Sequence, residues 1–166
     1  MIVLKKTNVI LTAVLAVFVI SAVIILTVAL ASNKEKEVVP VDLDLKLLST
    51  NIEEATDLDN ANLEPITLDT LKYEFKLDEG WVKDFIGKMP SVNISSNTYV
   101  IVEATDGNVE NIKKAFEEYG VAYENIWKDY LAEEYELVKN RKIGNKGNYV
   151  YFIIDTYAQD IIDLIK

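Results

Sequence analysis

Hydrophobic and polar positions divide the chain unevenly. Residues 9–31 form an apolar run without a single charge, and about 15 of them are Leu, Ile, Val or Phe. As a helix rising ~1.5 Å per residue, the run spans roughly 34 Å, enough for a hydrocarbon core of about 30 Å. At roughly −0.3 to −0.6 kcal/mol per apolar side chain near mid-membrane, insertion is favoured by at most about 5–9 kcal/mol. Asn8, Thr12, Ser21 and Thr27 oppose this only weakly, because hydroxyls bond back to the helix. The pattern predicts a signal anchor over residues 1–31. Cleavage is the rival reading: Lys5 and Lys6 form a basic leader, and Ala29-Leu30-Ala31 before Ser32 fits a small-x-small site. The run is longer than the about 7–15 residues of an ordinary signal peptide, which favours retention.

Beyond the run, a polar tether covers residues 32–41 and ends at Pro40. Residues 42–166 then change period repeatedly. Leu45, Leu48, Ile52 and Ala55 fall at helical spacing behind Asp42 as a cap, and the helix is expected to stop near Thr56. Residues 57–65 read as loop. Thr67 caps a short helix carrying Leu68, Leu71 and Phe75. Residues 76–81 form a turn. A strand follows over residues 82–89, with Phe85, Gly87 and Met89 on one face and Ile86 on the other. Residues 91–97 are turn-like. Residues 98–105 (TYVIVEAT) are the clearest strand, by β-branched and aromatic content.

Asp106-Gly107 closes that strand, and Asn108 is placed to cap the best soluble helix. Its stripe is Ile112, Phe116, Tyr119, Tyr123, Ile126 and Tyr130, interrupted by Gly120, where a bend or break is allowed for. It lasts under three heptads, so it predicts packing on a sheet rather than a coiled coil. Residues 132–140 fit helix or strand equally. Residues 141–144 and 148–155 form a hairpin across Asn145-Lys146-Gly147. Its second arm is apolar on both faces, the mark of an interior strand. A capping box over residues 156–159 starts a last helix lined by Ala158, Ile161, Ile162 and Ile165. The fold class expected is α+β: an N-terminal transmembrane helix, then a small, mainly antiparallel sheet packed with helices.

Charge adds a location and removes partners. The formal net charge is −10, and the first 31 residues hold two lysines and no acid, so the remainder is more negative still. Such a domain repels nucleic acid, and none is expected as a partner. Lys34 and Lys36 nearly balance Lys5 and Lys6, so orientation rests on how close the apolar run lies to the N-terminus. The expected location is the plasma membrane, single-pass through residues 9–31, with the C-terminal domain extracytoplasmic, or secreted if cleaved after Ala31.

Chemistry is bounded by two absences. The chain has no Cys and no His. Serine–histidine, cysteine–histidine and zinc chemistry therefore lack their residues, as does lipid attachment to an N-terminal cysteine. No cofactor is expected. Asp78 and Glu79 beside Trp81 are the best carboxylate pair for glycan hydrolysis, with a solvated turn as the plainer reading. Asp57, Asp59, Asn60, Asn62 and Glu64 supply oxygen ligands for a loose calcium loop, but Ala61 and Asn62 break the EF-hand pattern. Asn93-Ile94-Ser95 matches a glycosylation sequon, expected to go unused in a bacterial envelope. Lys139, Arg141, Lys142 and Lys146 make the one basic run of the acidic domain. They are the candidate binding residues, for an envelope protein or an anionic polymer; the alternative is that they protect an exposed strand edge.

One further pattern is a resemblance. Tyr135-Glu136-Leu137-Val138-Lys139-Asn140, then Ile143, Lys146-Gly147-Asn148-Tyr149-Val150 and Phe152, resembles an uncharacterised family, domain of unknown function four-three-five-eight. The Asp-Gly turn before a long helix, with Trp127 and Tyr130 towards its end, also fits. The similarity covers roughly residues 65–160. It implies a cell-envelope protein of Gram-positive Firmicutes, akin to lipoproteins, and supplies no activity, substrate or catalytic residue. Members often carry a lipid-anchoring cysteine; here an apolar run stands in its place. The expected role is a non-catalytic binding module, with a carboxylate-dependent wall-glycan enzyme or a structural subunit of a membrane complex as alternatives.

Overall fold

Every residue of the strand Thr98–Ala104 is buried. Its β-branched and aromatic side chains suit a pleated strand, and their burial on both faces requires cover above and below. The computed structural model describes residues 43–56, 62–92 and 94–165. They form helix α1 (Leu45–Ala55), strand β1 (Leu63–Pro65), helix α2 (Leu68–Tyr73), a 3-10 turn (Glu79–Trp81), β2 (Val82–Pro90) and β3 (Thr98–Ala104). There follow α3 (Val109–Trp127), α4 (Ala132–Lys139), β4 (Lys142–Lys146), β5 (Tyr149–Ile154) and α5 (Ala158–Leu164). One five-stranded sheet runs in the order β1-β2-β3-β5-β4, and all of its pairings are antiparallel. The expected α+β class with an antiparallel sheet is what the chain adopts, and β5 is interior as its two apolar faces require.

The period-2 alternation of the central strands feeds two cores. Val100, Val102, Val150, Phe152 and Ile154 face Leu71, Phe75, Ile112, Phe116 and Trp127. Tyr99, Ile101, Tyr149 and Ile153 face Leu45, Leu48, Ile52, Ile161 and Ile165. Hence α2, α3 and α4 cover one face of the sheet, and α1 and α5 cover the other. Phe75, Phe116 and Phe152 meet edge-on or tilted, with centroids 5.5–5.7 Å apart.

Local signals mostly landed, with shifts that have physical causes. Asp44 rather than Asp42 caps α1, its carboxylate accepting from the Leu47 N–H at 3.0 Å. Thr56 is buried in place of Ala55, its hydroxyl donating back to the Ile52 carbonyl. Thr67 and Thr70 form a reciprocal capping box on α2. Part of the segment read as loop is strand: Leu63, Glu64 and Pro65 pair with Pro90, Met89 and Lys88. A sheet edge tolerates a proline that an interior strand would not. The capping box expected over residues 156–159 does not form. No side chain caps α5; the Asp155 carboxylate instead accepts from the Tyr157 N–H at 2.7 Å and holds the turn that leads into the helix.

The long helix also differs from its expected stripe. Asn108 occupies the cap position, but its side chain bonds Thr105 and Asn111 instead of the helix backbone. The buried face leaves the helix through Trp127, while Ile126 and Tyr130 are exposed. The helix passes Gly120 unbroken because the missing side chain makes room for Arg141. A Cβ there would meet Arg141 Nε, with Cδ at 2.9 Å. Arg141 Nη1 reaches Glu124 Oε2 at 2.8 Å and also donates to the Val138 carbonyl. Gly120, Glu124 and Arg141 thus clasp α3 to the start of β4. The hairpin turn is shorter and later than the expected residues 145–147: Lys146 pairs with Tyr149, leaving Gly147 and Asn148 as the loop. Gly147 supplies the positive φ of 58° at the first loop position.

No helix among the described residues is long and apolar enough to cross a membrane. The apolar run at residues 9–31 and the tether lie outside the described residues, as do residues 57–61 of the acidic loop.

Two outcomes follow from this packing. In the wild-type background, Gly120→Ala should lower stability by displacing Arg141. With Arg141→Ala already present, it should raise stability by about 1 kcal/mol, the ordinary helix gain over glycine. Urea unfolding of the four chains measures that reversal of sign. The second outcome concerns alkali. Burial raises the Tyr119 hydroxyl well above its usual 10.0, helped by the neighbouring Tyr123 and Glu74. The unfolded chain releases this proton near pH 10 while the folded chain holds it, so stability should fall as pH rises above 10. Tyr119→Phe should flatten that fall in unfolding curves taken between pH 9 and 11.

Candidate interaction surface

The basic run is distributed by the fold rather than pooled. Lys139, at the end of α4, bonds Glu136 Oε1 at 2.9 Å and lies 5.1 Å from the Tyr135 ring centre. The Glu136 hydrogen bond holds the Lys139 ammonium above its usual range, partly offset by desolvation and reinforced by the neighbouring negative groups. Arg141 is spent on the clasp, its side chain 16% exposed. Lys142 and Lys146 sit at the two ends of β4. Their register partners, Ile153 and Tyr149, both belong to the α1–α5 core, so both lysines project from that face of the sheet. Lys146 Nζ donates to the Ile162 carbonyl at 2.6 Å, closing the C-terminal end of α5. Lys142 is exposed, and its side chain makes no hydrogen bond or ion pair within the described residues.

The carboxylates are arranged for structure. Asp78 and Glu79 are exposed in the turn before β2, and Asp78 Oδ1 accepts from the Gly80 N–H at 2.7 Å. Neither lines the open depression of about 460 Å³ that runs along α4 between Ala132, Glu133, Glu136, Leu137 and Asn140. Among the described residues no group of three or more acids is placed to hold a metal ion. Of the calcium-loop residues, Asp57, Asp59 and Asn60 lie outside the described set, as does Asn93 of the sequon.

Sequence patterns missed a polar lock at the opposite end of the sheet from the β4–β5 turn. Ser96 is fully buried. Its N–H and hydroxyl both donate to Glu134 Oε2 at 2.6 Å. Asn97 Nδ2 donates to Asp155 Oδ2 at 2.6 Å. The β2–β3 loop, α4 and the β5–α5 junction are thereby tied together, presenting Val92, Ile94, Tyr130, Leu131 and Tyr157 to solvent. The one legible sign was Val92 and Ile94 standing apolar inside a polar turn. Nearby, burial raises the Tyr123 hydroxyl. The neighbouring Trp127 N–H opposes this rise, and the Glu134 charge adds to it.

Comparison with known proteins identifies a family. The model of a family described as a domain of unknown function (DUF4358) covers residues 56–155. That span runs from the end of α1 through β5, so it holds all five strands and α2 to α4 and leaves α1 and α5 outside. No curated protein and no solved structure matches the chain. The match includes well over half of the residues, and the segments around Tyr135 and Lys146 on which the resemblance rests lie inside it: the chain belongs to the DUF4358 family.

Proposed function

We propose that this chain is a membrane-tethered module of the cell envelope, held by residues 9–31, that binds another envelope protein through the β4–β5 hairpin. The observation that carries the contact is the pair Lys142 and Lys146 on one face of an edge strand. Lys142 offers an uncommitted cation on a domain that is otherwise strongly acidic. An anionic polymer is the weaker partner. Long polyanions favour a continuous basic surface, whereas Lys139 and Arg141 are each countered by a glutamate. The tether rests on the length and lack of charge of residues 9–31. The extracytoplasmic side rests on Lys5 and Lys6 standing before that run, as a basic leader precedes the apolar region of a secretion signal.

A glycan hydrolase reading draws no support from Asp78, whose carboxylate is engaged in a turn. The alternative with a specific basis is that the apolar run itself makes the partner contacts.

Protease added to intact cells should digest the chain beyond Ser32 while a cytoplasmic marker survives. Digestion only after permeabilisation would overturn the location. Replacing residues 9–31 by an unrelated span of equal length should leave partner capture by the full chain unchanged. Loss of capture would mean that the span, and not the domain, makes the contact.

A further inference from the structure

The mode of docking can be read from the backbone of β4. Ala104 N donates to the Asn148 carbonyl at 2.8 Å. That fixes the parity of the neighbouring ladder, because hydrogen-bonding direction alternates along an antiparallel strand. Even-numbered residues of β5 therefore turn their backbone groups towards β3, and Tyr149, Tyr151 and Ile153 turn theirs towards β4. By register, Lys146, Gly144 and Lys142 answer them. The same follows from the two-residue turn, whose flanking pair exchanges both bonds. Ile143 and Asn145 are left with N–H and C=O groups directed away from the sheet. Neither has a backbone bond outside the strand among the described residues.

The two edges of the sheet are not alike. β1 is three residues long and ends in Pro65, a blunted edge. β4 is five residues long, contains no proline, and pairs with β5 without a bulge. Its lysines stand at the two ends, and the Ile162 carbonyl holds Lys146 aside towards α5, so neither lysine stands at the middle of the edge.

We propose that β4 takes up an extended segment of the protein partner as a sixth strand, with acidic side chains four residues apart opposite Lys142 and Lys146. This rests on the reading of the hairpin as the docking surface and adds its geometry. Residue types follow from the two faces. Opposite Ile143, which packs on the edge of the α3-side core, an apolar side chain extends that core. A second copy of this chain is the wrong occupant. Two β4 strands paired about Gly144 would set Lys142 directly against Lys146 of the other copy, and like charges directly opposite are destabilising.

The probe is a synthetic peptide with the core Glu-Thr-Val-Val-Glu, titrated against the full chain in detergent micelles. Binding should slow amide exchange at Ile143 and Asn145 at least tenfold and leave Gly144, already bonded to β5, unchanged. Methylating the peptide nitrogens that face β4 should weaken binding at least tenfold. Methylating those on the far side should not, a control that leaves the protein unaltered. Lys142→Glu should weaken the acidic peptide and favour one with Lys at the matching position. Binding that ignores N-methylation and leaves exchange at Ile143 and Asn145 unaltered overturns strand addition while sparing the surface. No binding at millimolar peptide, or self-association through β4, overturns it as well.

Discussion

Burial of β3 and β5 on both faces is the constraint from which the architecture follows. Antiparallel sheets commonly leave one face to water. Here Val100 and Val102 point into one core while Tyr99 and Ile101 point into the other. Each face must therefore be covered by helices, and the chain supplies α2, α3 and α4 to one side and α1 and α5 to the other. The one carboxylate carried into β3, Glu103, lies towards the strand's end. There Lys83 reaches it at 2.6 Å and Asn148 at 3.0 Å. A charge so buried is tolerated because it is paired and hydrogen-bonded, and its partners tie the β2 start and the hairpin turn to the central strand.

The same economy governs the other ions. Arg141 lies over a glycine, reaches Glu124 and satisfies a carbonyl at the end of α4. Arginine suits this place because its planar fork makes several directed bonds at once. Lys88 meets Glu53 at 2.7 Å, tying β2 to α1. Lys83, Lys88, Arg141 and Lys146 each join one element to another, whereas Lys113, Lys114 and Lys139 pair within their own helix. Within the basic run Lys139, Arg141 and Lys146 are each engaged and the Lys142 side chain is not, among the described residues, which is why it weighs more than its three neighbours.

Much of the fold was legible because period and burial coincide. β-Branched and aromatic content named the strand at residues 98–105, the two apolar faces of residues 148–155 marked that arm as interior, and the 3-4 spacing of Ile112, Phe116, Tyr119 and Tyr123 named the main helix. What was hidden depends on contacts between distant residues. β1 has no pattern of its own, since three residues ending in proline become strand only against Lys88–Pro90. Trp127 replaces Ile126 on the buried face, its ring 6.0 Å from that of Tyr123 one turn earlier and 5.6 Å from that of Tyr130. The role of Gly120 is set by an arginine 21 positions later. The candidate site was legible as residue types and illegible as geometry: four basic residues in a row looked like a patch, and the turn of the chain after α4 sends them to two faces.

That division bears on how the hairpin relates to the family. The matched residues 56–155 include β4, β5 and the helices behind Arg141. The face carrying Lys142, Gly144 and Lys146 leans instead on α5, which lies outside the match. Lys146 bridges the two, since its ammonium closes the last turn of α5 at Ile162. Backbone groups at Ile143 and Asn145 are sequence-blind, so they supply attachment without selectivity. Selectivity comes from the side chains beside them. On one face that is Ile143 with the α3-side core; on the other it is two lysines framed by α5. The surface at β4 thus combines an edge contributed by the family fold with a flank contributed by the C-terminal helix, and a change in α5 near Ile162 alters how Lys146 is held without touching the strand itself.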